Sequence, residues 1–144
     1  MGAMPGDSGR RDRIIQEKWG AALDAGFQVV PNVLIRAQSR LGLDALDVVV
    51  LLNLTAHWWE KDVPPFISAA RIAKRMNVTK RTVERHLKKL EEKEFIKRSR
   101  TARPEDGPVA RNYDLTPLVR VLKEASRNTL TLRDRSAQKK LQTV

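Results

Sequence analysis

The sequence has 144 residues, of which 41% are hydrophobic and 31% charged, enough for one core of ordinary domain size but too few for a second full domain. It contains no cysteine, which excludes a disulfide framework, a thiolate nucleophile and thiolate metal ligands. The longest apolar run, residues 48–52, is far shorter than the roughly 20 residues that a membrane-spanning helix needs. We therefore expect a cytoplasmic domain, helical or mixed helix and sheet, without a membrane segment.

The formal net charge of +11 is concentrated in one part of the chain. Residues 71–111 hold fourteen Lys and Arg against six Asp and Glu, whereas residues 1–70 hold seven against eight. Such a basic block attracts polyanions, and nucleic acid is the partner that it favours. A membrane surface is the weaker alternative, because an interfacial helix needs large apolar residues opposite its cations that no other helix covers.

The first third of the chain predicts helices ahead of the main domain. Residues 1–12 are polar and contain glycine, and we expect them to form a disordered tail. A helix follows, with apolar residues on one face at Ile15, Trp19 and Leu23. Gly26 is expected to end it, and a shorter helix should lie between Pro31 and Gly42. Residues 13–43 are therefore predicted to be an N-terminal helical extension.

The most apolar helix is predicted to begin after Asp44, which is a good N-cap residue. Asp47, three residues later, suits the positive end of the helix dipole. Residues 63–65, Val-Pro-Pro, end the helix, because proline lacks the N–H that a helix needs. We expect this helix to be central, with Val49 and Leu52 facing the helices that follow.

Two capped helices joined by a tight turn come next. Ser68 is predicted to cap the first and Thr79 the second. Asn77 lies between them and tolerates the left-handed conformation in which a helix often ends. The residues expected to face inward are spaced by one, three and four positions: Ala69, Ile72, Ala73, Met76, Val83, Leu87 and Leu90.

The hydrophobic period then changes from helical to strand-like. Residues 95–102 and 109–115 are rich in β-formers and flank the turn sequence PEDGP at 104–108, so a β-hairpin is predicted. Residues 66–67 suffice only for a short strand. The chain is therefore expected to be mainly α-helical with a small β-hairpin.

This order of elements resembles the winged helix-turn-helix of bacterial DNA-binding proteins. The resemblance covers roughly residues 44–122, and it places the winged domain at 44–115, between N- and C-terminal helical extensions. Such domains occur in transcription regulators and in plasmid or phage replication proteins. The residues that carry the resemblance are Ser68, Ile72, Ala73, Met76, Asn77, Val78, Thr79, Arg81, Thr82, Val83, Arg85, Leu87, Leu90, Glu91, Phe95, Ile96 and Asn112–Leu115.

The resemblance implies that the second helix of the pair lies in the major groove of DNA, with its N-terminal half against base edges. The wing is then expected to contact phosphates or the minor groove. If the apolar residues face the core, the residues left for DNA on the helix are Thr79, Lys80, Arg81, Thr82, Glu84, Arg85 and Lys88. The wing contributes Lys97, Arg98, Arg100 and Arg103.

Two glutamates depart from a purely basic binding surface and from the family pattern. Glu84 repels phosphate but can accept a hydrogen bond from cytosine N4, which favours base readout over simple charge attraction. Glu94 occupies the position where the family usually has glycine, and a left-handed backbone there costs a glutamate about 1 kcal/mol or more. The exit from the second helix is therefore expected to differ from that of the family.

Several of the charged residues are equally consistent with a role in solubility or in the fold. A charge-rich helix is usually a solvated surface, and Arg71, Lys74 and Arg75 suit solubility as well as binding. Arg111 is as consistent with bracing the wing as with touching DNA. His86 is expected to flank the recognition helix.

The sequence offers little for catalysis or metal binding. His57 and Glu60 have the spacing of a metal pair on a helix, but two histidines and no cysteine do not complete a zinc site. No Ser/His/Asp spacing or phosphate-binding glycine loop is present. We expect no enzyme activity, no cofactor and no metal.

The favoured function is a transcriptional regulator that binds double-stranded DNA at a preferred sequence. One alternative is the DNA-binding domain of a plasmid or phage replication initiator. An alternative of another class is a winged-helix protein-interaction module, whose basic face meets an acidic partner.

A homodimer is expected, because one recognition helix contacts only a few base pairs and a second subunit adds another half-site. Either of two apolar helices can supply the contact: the N-terminal one, or one beginning at Thr116 with Leu118, Val121, Leu122 and Ala125. Residues 116–144 are predicted as a helix with a frayed tail after Asn128. In the alternative, both helices fold onto Trp58 and Trp59 and complete a monomeric core.

Overall fold

The computed structural model describes residues 7–99 and 110–142. Over these residues the chain is mainly helical with a small antiparallel sheet, which confirms the predicted class. No helix in the described ranges is both long and apolar enough to cross a membrane. The elements in chain order are α1 (Asp7–Trp19), a 3-10 turn (Gly20–Leu23), α2 (Asn32–Arg36), α3 (Ala45–Thr55), β1 (Phe66–Ser68), α4 (Ala69–Met76), α5 (Lys80–Glu92), β2 (Lys97–Arg98), β3 (Ala110–Asp114) and α6 (Thr116–Gln142).

The sheet has three strands in the order β1-β3-β2, with both pairings antiparallel. Lys97 of β2 lies opposite Asp114, and Phe66 of β1 lies opposite Asn112. The antiparallel pairing of β2 with β3 agrees with the predicted hairpin, although its connection, residues 100–109, is outside the described residues. The short segment at 66–68 adds a third strand.

The core forms where α3, α4, α5 and the sheet meet. Val83 and Leu87 are fully buried, as predicted. The expected contact through Val49 is wrong, because its side chain is 40% exposed, and Leu52 is only half-buried. Helix α3 instead buries Asp47, Val48, Val50, Leu51 and Leu54. A run of apolar residues on all sides of a helix has no period, so the sequence could not define which side faces the core.

The three predicted N-caps are confirmed. The carboxylate of Asp44 accepts from the backbone N–H of Asp47, and the Asp47 carboxylate accepts from the N–H of Asp44, which makes a reciprocal capping box. Ser68 and Thr79 each accept from the backbone N–H three residues later. Such a cap contributes about 1 kcal/mol to helix stability.

The turn between α4 and α5 has the predicted chemistry. Asn77 adopts a left-handed conformation with φ of 54°. The backbone N–H of Val78 then donates to the carbonyl of Ala73 at 3.1 Å, which satisfies a carbonyl at the end of α4. The two helices are thereby held at a fixed angle by one short turn.

Both chain ends differ from the expectation. Helix α1 begins at Asp7, inside the predicted disordered tail, and ends at Trp19, where Gly20 takes a φ of 53°. Its Trp19 is 56% exposed, so the predicted inward face does not enter the core. At the other end, α6 continues to Gln142 rather than fraying after Asn128.

The first turns of α6 belong to the core. Leu118, Leu122 and Ala125 are buried, and Val121 packs against the core cluster. This part of the terminal helix therefore folds onto the core, as the fold-back alternative proposed for both helices, whereas α1 does not. These side chains are therefore not available for the subunit contact that was the other possibility.

Glu94 adopts the left-handed conformation itself, with φ of 62°. Around it, the N–H of Phe95 donates to the carbonyl of Leu90 at 2.9 Å, and the N–H of Glu94 donates to that of Glu91 at 3.0 Å. This is the Schellman ending that glycine usually occupies. The expectation of a different helix exit is thus wrong: the chain leaves α5 as it would with glycine, and the glutamate carries the strain.

Replacing Glu94 with glycine should relieve this strain. Glu94→Gly is expected to raise the free energy of unfolding by about 1 kcal/mol in urea denaturation, because a Cβ in the left-handed region costs roughly 1–2 kcal/mol. Glu94→Ala is the matched control: it also removes the carboxylate but keeps the Cβ, so it should give no such gain. Equal effects of the two substitutions would show that the carboxylate, and not the backbone, matters.

Candidate nucleic-acid interface

Helix α5 has a fully buried side and a cationic side. Val83, Leu87 and Leu90 are each 0% exposed against the core. The opposite side carries three exposed cations, Arg81, Arg85 and Lys88, and a fourth, Lys80, is exposed at the start of the helix. In the described part of the chain, none of these four side chains makes a hydrogen bond or an ion pair. They are the predicted contact residues that the structure leaves unpaired.

The two threonines at the start of α5 are partly committed to the helix. The Thr79 hydroxyl accepts from the backbone N–H of Thr82 at 3.1 Å, and the two hydroxyl oxygens lie 2.9 Å apart. Thr82 is half-buried, whereas Thr79 is exposed. Thr79 therefore acts first as the N-cap, because its hydroxyl oxygen already accepts the Thr82 N–H.

Glu84 and Arg98 form an ion pair with each other. Arg98 Nη1 donates to Glu84 Oε2 at 2.9 Å, and the Arg98 side chain is only 11% exposed. The Arg98 backbone N–H donates to Glu91 Oε2 at 3.1 Å, and Arg98 Nε lies 3.6 Å from the same oxygen. This arrangement joins β2 to α5. It argues against the predicted roles of Glu84 on cytosine and Arg98 on phosphate.

The remaining predicted wing residues are dispersed. Lys97 is exposed on β2, opposite Asp114. Hydrogen bonds from Thr116 lower the pKa of Asp114, and the positive charge of Lys97 lowers it further. Arg100 and Arg103 lie outside the described residues. Of the wing cations, Lys97 is thus the described one that remains open to a ligand.

On α4, one cation is used internally. Arg75 Nη1 lies 2.9 Å from His57 Nε2, and because arginine can only donate, the histidine nitrogen accepts. Burial lowers the pKa of His57, and the charges of Arg75 and Arg71 lower it further. Arg71 and Lys74 are exposed. His57 is therefore a partner of Arg75 rather than half of a metal site with Glu60.

A buried ionic cluster, not predicted from the sequence, anchors α5 to the start of α3. The Asp47 carboxylate is completely buried and accepts from His86 Nδ1 at 2.6 Å and from Lys89 Nζ at 2.5 Å. Lys89 Nζ is also 3.4 Å from Asp44 Oδ2. The one available signal was the pair of aspartates three residues apart, which predicted the cap but not its partners on α5.

The hydrogen bonds of this cluster favour the charged forms of Asp47 and Lys89. Burial alone would raise the pKa of Asp47, but hydrogen bonds from Lys89, His86 and the Asp44 backbone N–H bring it below its ordinary value of 3.8. The same hydrogen bond to Asp47 raises the pKa of Lys89. Asp44, Asp47 and His86 offer oxygen and nitrogen atoms within 4.8 Å of one another, as a metal site does. The Lys89 ammonium already supplies the positive charge there, so we infer no metal.

Fold and site together define a mainly helical domain that presents a cationic helix side held in place by buried ion pairs. The model of the DnaD N-terminal domain family matches residues 30–131, which is most of the chain. The chain therefore belongs to the DnaD N-terminal domain family.

Solved structures with a similar fold include the N-terminal domain of the DnaD protein from Geobacillus kaustophilus HTA426. That chain is 24% identical with a TM-score of 0.57, and the match covers 83% of this chain and 96% of that one. A second is described as a possible transcriptional regulator from Methanosarcina mazei Go1, 21% identical with a TM-score of 0.45 over 73% of this chain and 82% of that one. The curated proteins contain no significant match.

Asp47→Asn is expected to lower the free energy of unfolding at pH 7 by about 2–3 kcal/mol, because it leaves Lys89 and His86 without the carboxylate. This is less than a fully buried pair would lose, since Lys89 keeps some contact with water. The pKa of Asp47 is lowered in the folded state, so its stabilisation is present above about pH 3.8 and is lost as the pH falls below that value.

The measurement is urea denaturation of wild type and variant from neutral to strongly acidic pH. The difference between the two proteins should shrink in acid. Asp44→Asn is the matched control, because asparagine caps a helix as well as aspartate and Asp44 is 53% exposed. A constant difference at all pH values would mean that the Asp47 charge is not what stabilises the fold.

Proposed function

We propose that this chain is the DNA-binding domain of a replication protein and that it binds double-stranded DNA through the cationic side of α5. The observation that carries the proposal is the set of three exposed cations on that side, with Lys80 exposed at the start of the helix, all without an intramolecular partner in the described chain. Cations left unpaired next to a rigid core are suited to phosphates and base edges. The domain acts by binding in the cytoplasm, without catalysis.

Membership of the DnaD N-terminal domain family supports replication over transcription, since DnaD proteins are DNA-associated replication proteins. The alternative of a replication protein thereby becomes the preferred one. A preferred DNA sequence remains part of the proposal, because arginines on the side of a helix can donate to guanine O6 and N7.

The proposed mode is that of a winged helix-turn-helix, with α5 as the recognition helix. The short turn at Asn77 and the burial of Val83 and Leu87 support it, because they set the angle and the rotation of α5. Arg81 and Arg85 contact bases in this proposal, and Lys97 contacts phosphate. Lys80 and Lys88 flank them, while Glu84 and Arg98 keep the sheet attached to the helix.

We further propose a homodimer that uses the N-terminal region. An apolar groove of about 620 Å³ runs between residues 27–34, the end of α3 and the start of α6. Trp59 on its edge is 81% exposed, and Phe27 is 64% exposed. Helix α1 exposes Ile14 and Trp19, at 51% and 56%. Burying α1 of one copy in the groove of the other removes both apolar surfaces from water.

Substitutions on α5 test the DNA proposal. Arg81→Ala and Arg85→Ala should each cost roughly 1–3 kcal/mol on a site obtained by binding-site selection, and they should reduce its advantage over random DNA. Lys97→Ala should weaken both DNAs by the same factor, because a phosphate contact carries no sequence information.

Arg10→Ala on α1 is the control for the loss of one exposed positive charge, and it should change neither affinity by a comparable amount. If the α5 variants lose selected and random DNA equally, α5 does not contact bases. If they behave like Arg10→Ala, the cationic side is only a solvated surface, and the protein-interaction alternative gains support.

Sedimentation equilibrium at micromolar concentration tests the dimer. Wild type should sediment at twice the chain mass of 16.4 kDa. The double variant Ile14→Ser, Trp19→Ser should sediment as a monomer, because it removes the apolar side of α1. Leu141→Ser is the matched control, since Leu141 is 78% exposed at the end of α6. A wild-type mass of one chain contradicts the dimer, and an unchanged double variant contradicts this interface.

A further inference from the structure

A second basic surface lies between α2 and the distal part of α6. Residues 127–142 hold five Lys and Arg against one Asp. Two of these cations, Arg133 and Lys140, line a groove of about 570 Å³ whose other wall holds Arg36 at the end of α2 and Arg40 in the turn that follows it. No residue of α4, α5 or the described strands lines this groove, so it is separate from the cationic side of α5.

The residues of α6 that line the groove occupy one side of the helix. Thr129, Arg133, Ser136 and Lys140 follow one another at spacings of four, three and four. At 1.5 Å per residue, they extend over about 16 Å along the helix axis. One strand of duplex DNA has a phosphate every 3.4 Å along its axis, so roughly five phosphates fit this length.

The chemistry of the lining suits phosphate oxygens. It supplies four cations and two hydroxyls, and no lining residue is acidic. Arg40 Nη2 donates to Thr129 Oγ1 at 3.5 Å, a long contact that joins the two walls and leaves most of the five guanidinium N–H groups for a ligand. A smaller groove of about 220 Å³, which shares Arg36, Thr129 and Arg133, continues the surface along α6.

We propose that this groove binds the phosphate backbone of nucleic acid without reading its sequence. A nucleic acid is favoured over an acidic protein, because a protein partner would normally need an aromatic or large apolar anchor site, whereas no aromatic residue lines the groove and Leu132 is its one large apolar side chain. Guanidinium groups bind phosphate through paired N–H donors, and the mutual repulsion of the four cations is relieved by a polyanion. The groove adds affinity, whereas α5 adds sequence preference.

The test compares two variants of equal net charge. The groove variant carries Arg36→Gln, Arg40→Gln and Arg133→Gln. The control variant carries Arg13→Gln, Lys61→Gln and Arg120→Gln, three exposed cations outside the groove and outside α5, and Arg13 lies on a different side of α1 from Ile14 and Trp19. Circular dichroism of both establishes that helix content is retained. Fluorescence anisotropy with a short labelled duplex of random sequence, repeated over a series of KCl concentrations, gives the dependence of log K on log salt.

The slope of log K against log salt is expected to be smaller in magnitude by about 2–3 for the groove variant than for wild type. Each lost phosphate contact removes about 0.9 from this slope. The control variant should keep the wild-type slope. The ratio of affinities for selected and random DNA should be unchanged in the groove variant. Equal slopes for the two variants would overturn the proposal, as would an unchanged DNA slope together with loss of binding to a poly-glutamate peptide.

The outcome is separable from that of the proposed function. If Arg81→Ala and Arg85→Ala leave DNA binding intact while the groove variant lowers the slope, the α5 proposal fails and the groove proposal stands. If the α5 variants lose sequence preference while the groove variant matches the control variant, the reverse holds.

Discussion

The position of α5 depends on one buried carboxylate. Asp47 has no exposure to water, and two side chains of α5 and the backbone N–H of Asp44, the N-cap of α3, all donate to its carboxylate. A charge taken out of water is tolerated only when such donors are in place, and each donor is directional. The apolar stripe of α5 alone would permit small rotations, because packing contacts are not directional. The hydrogen bonds from His86 and Lys89 restrict that rotation and hence decide which cations point outward.

A second ionic contact restrains α5 from the side of the sheet. Arg98 of β2 pairs with Glu84 and lies close to Glu91, which is two helical turns further along α5. The acidic residues of α5 that might offset its positive charge are thereby partly neutralised within the fold. The charge that reaches solvent on the outer side comes from lysine and arginine. Ion pairs thus hold α5 in place, and its outer side is positively charged. The net charge of the chain reveals neither of these two properties.

Local features of the fold were predictable, because they depend on residues a few positions apart. The caps at Asp44, Ser68 and Thr79, the left-handed Asn77 and the inward side of α5 all follow from such spacings. The pairs that position the site were not predictable, because Asp47 is 39 residues from His86 and 42 from Lys89. Spacing within one helix carries no information about which other helix lies beside it.

Helices without a buried side were also missed, and for a related reason. The start of α1 and the distal part of α6 are exposed on all sides, so their sequences show no hydrophobic period. The side of α3 that faces the core was predicted wrongly for the opposite reason: its apolar run is almost continuous, so no side stands out. A period predicts a helix only when one side is buried and the other is not.

The exposed distal part of α6 has a thermodynamic consequence. A helix that packs against little else is maintained by local helix–coil equilibrium, in which each added turn contributes only a small free energy. Here two like charges, Arg135 and Lys139, also lie one turn apart, which shifts that equilibrium towards the coil. A polyanion in contact with these turns would remove the repulsion, so its binding would be coupled to lengthening of the helix. The apparent affinity would then include the free energy of ordering those turns, and it would decrease with temperature more steeply than affinity for the rigid core.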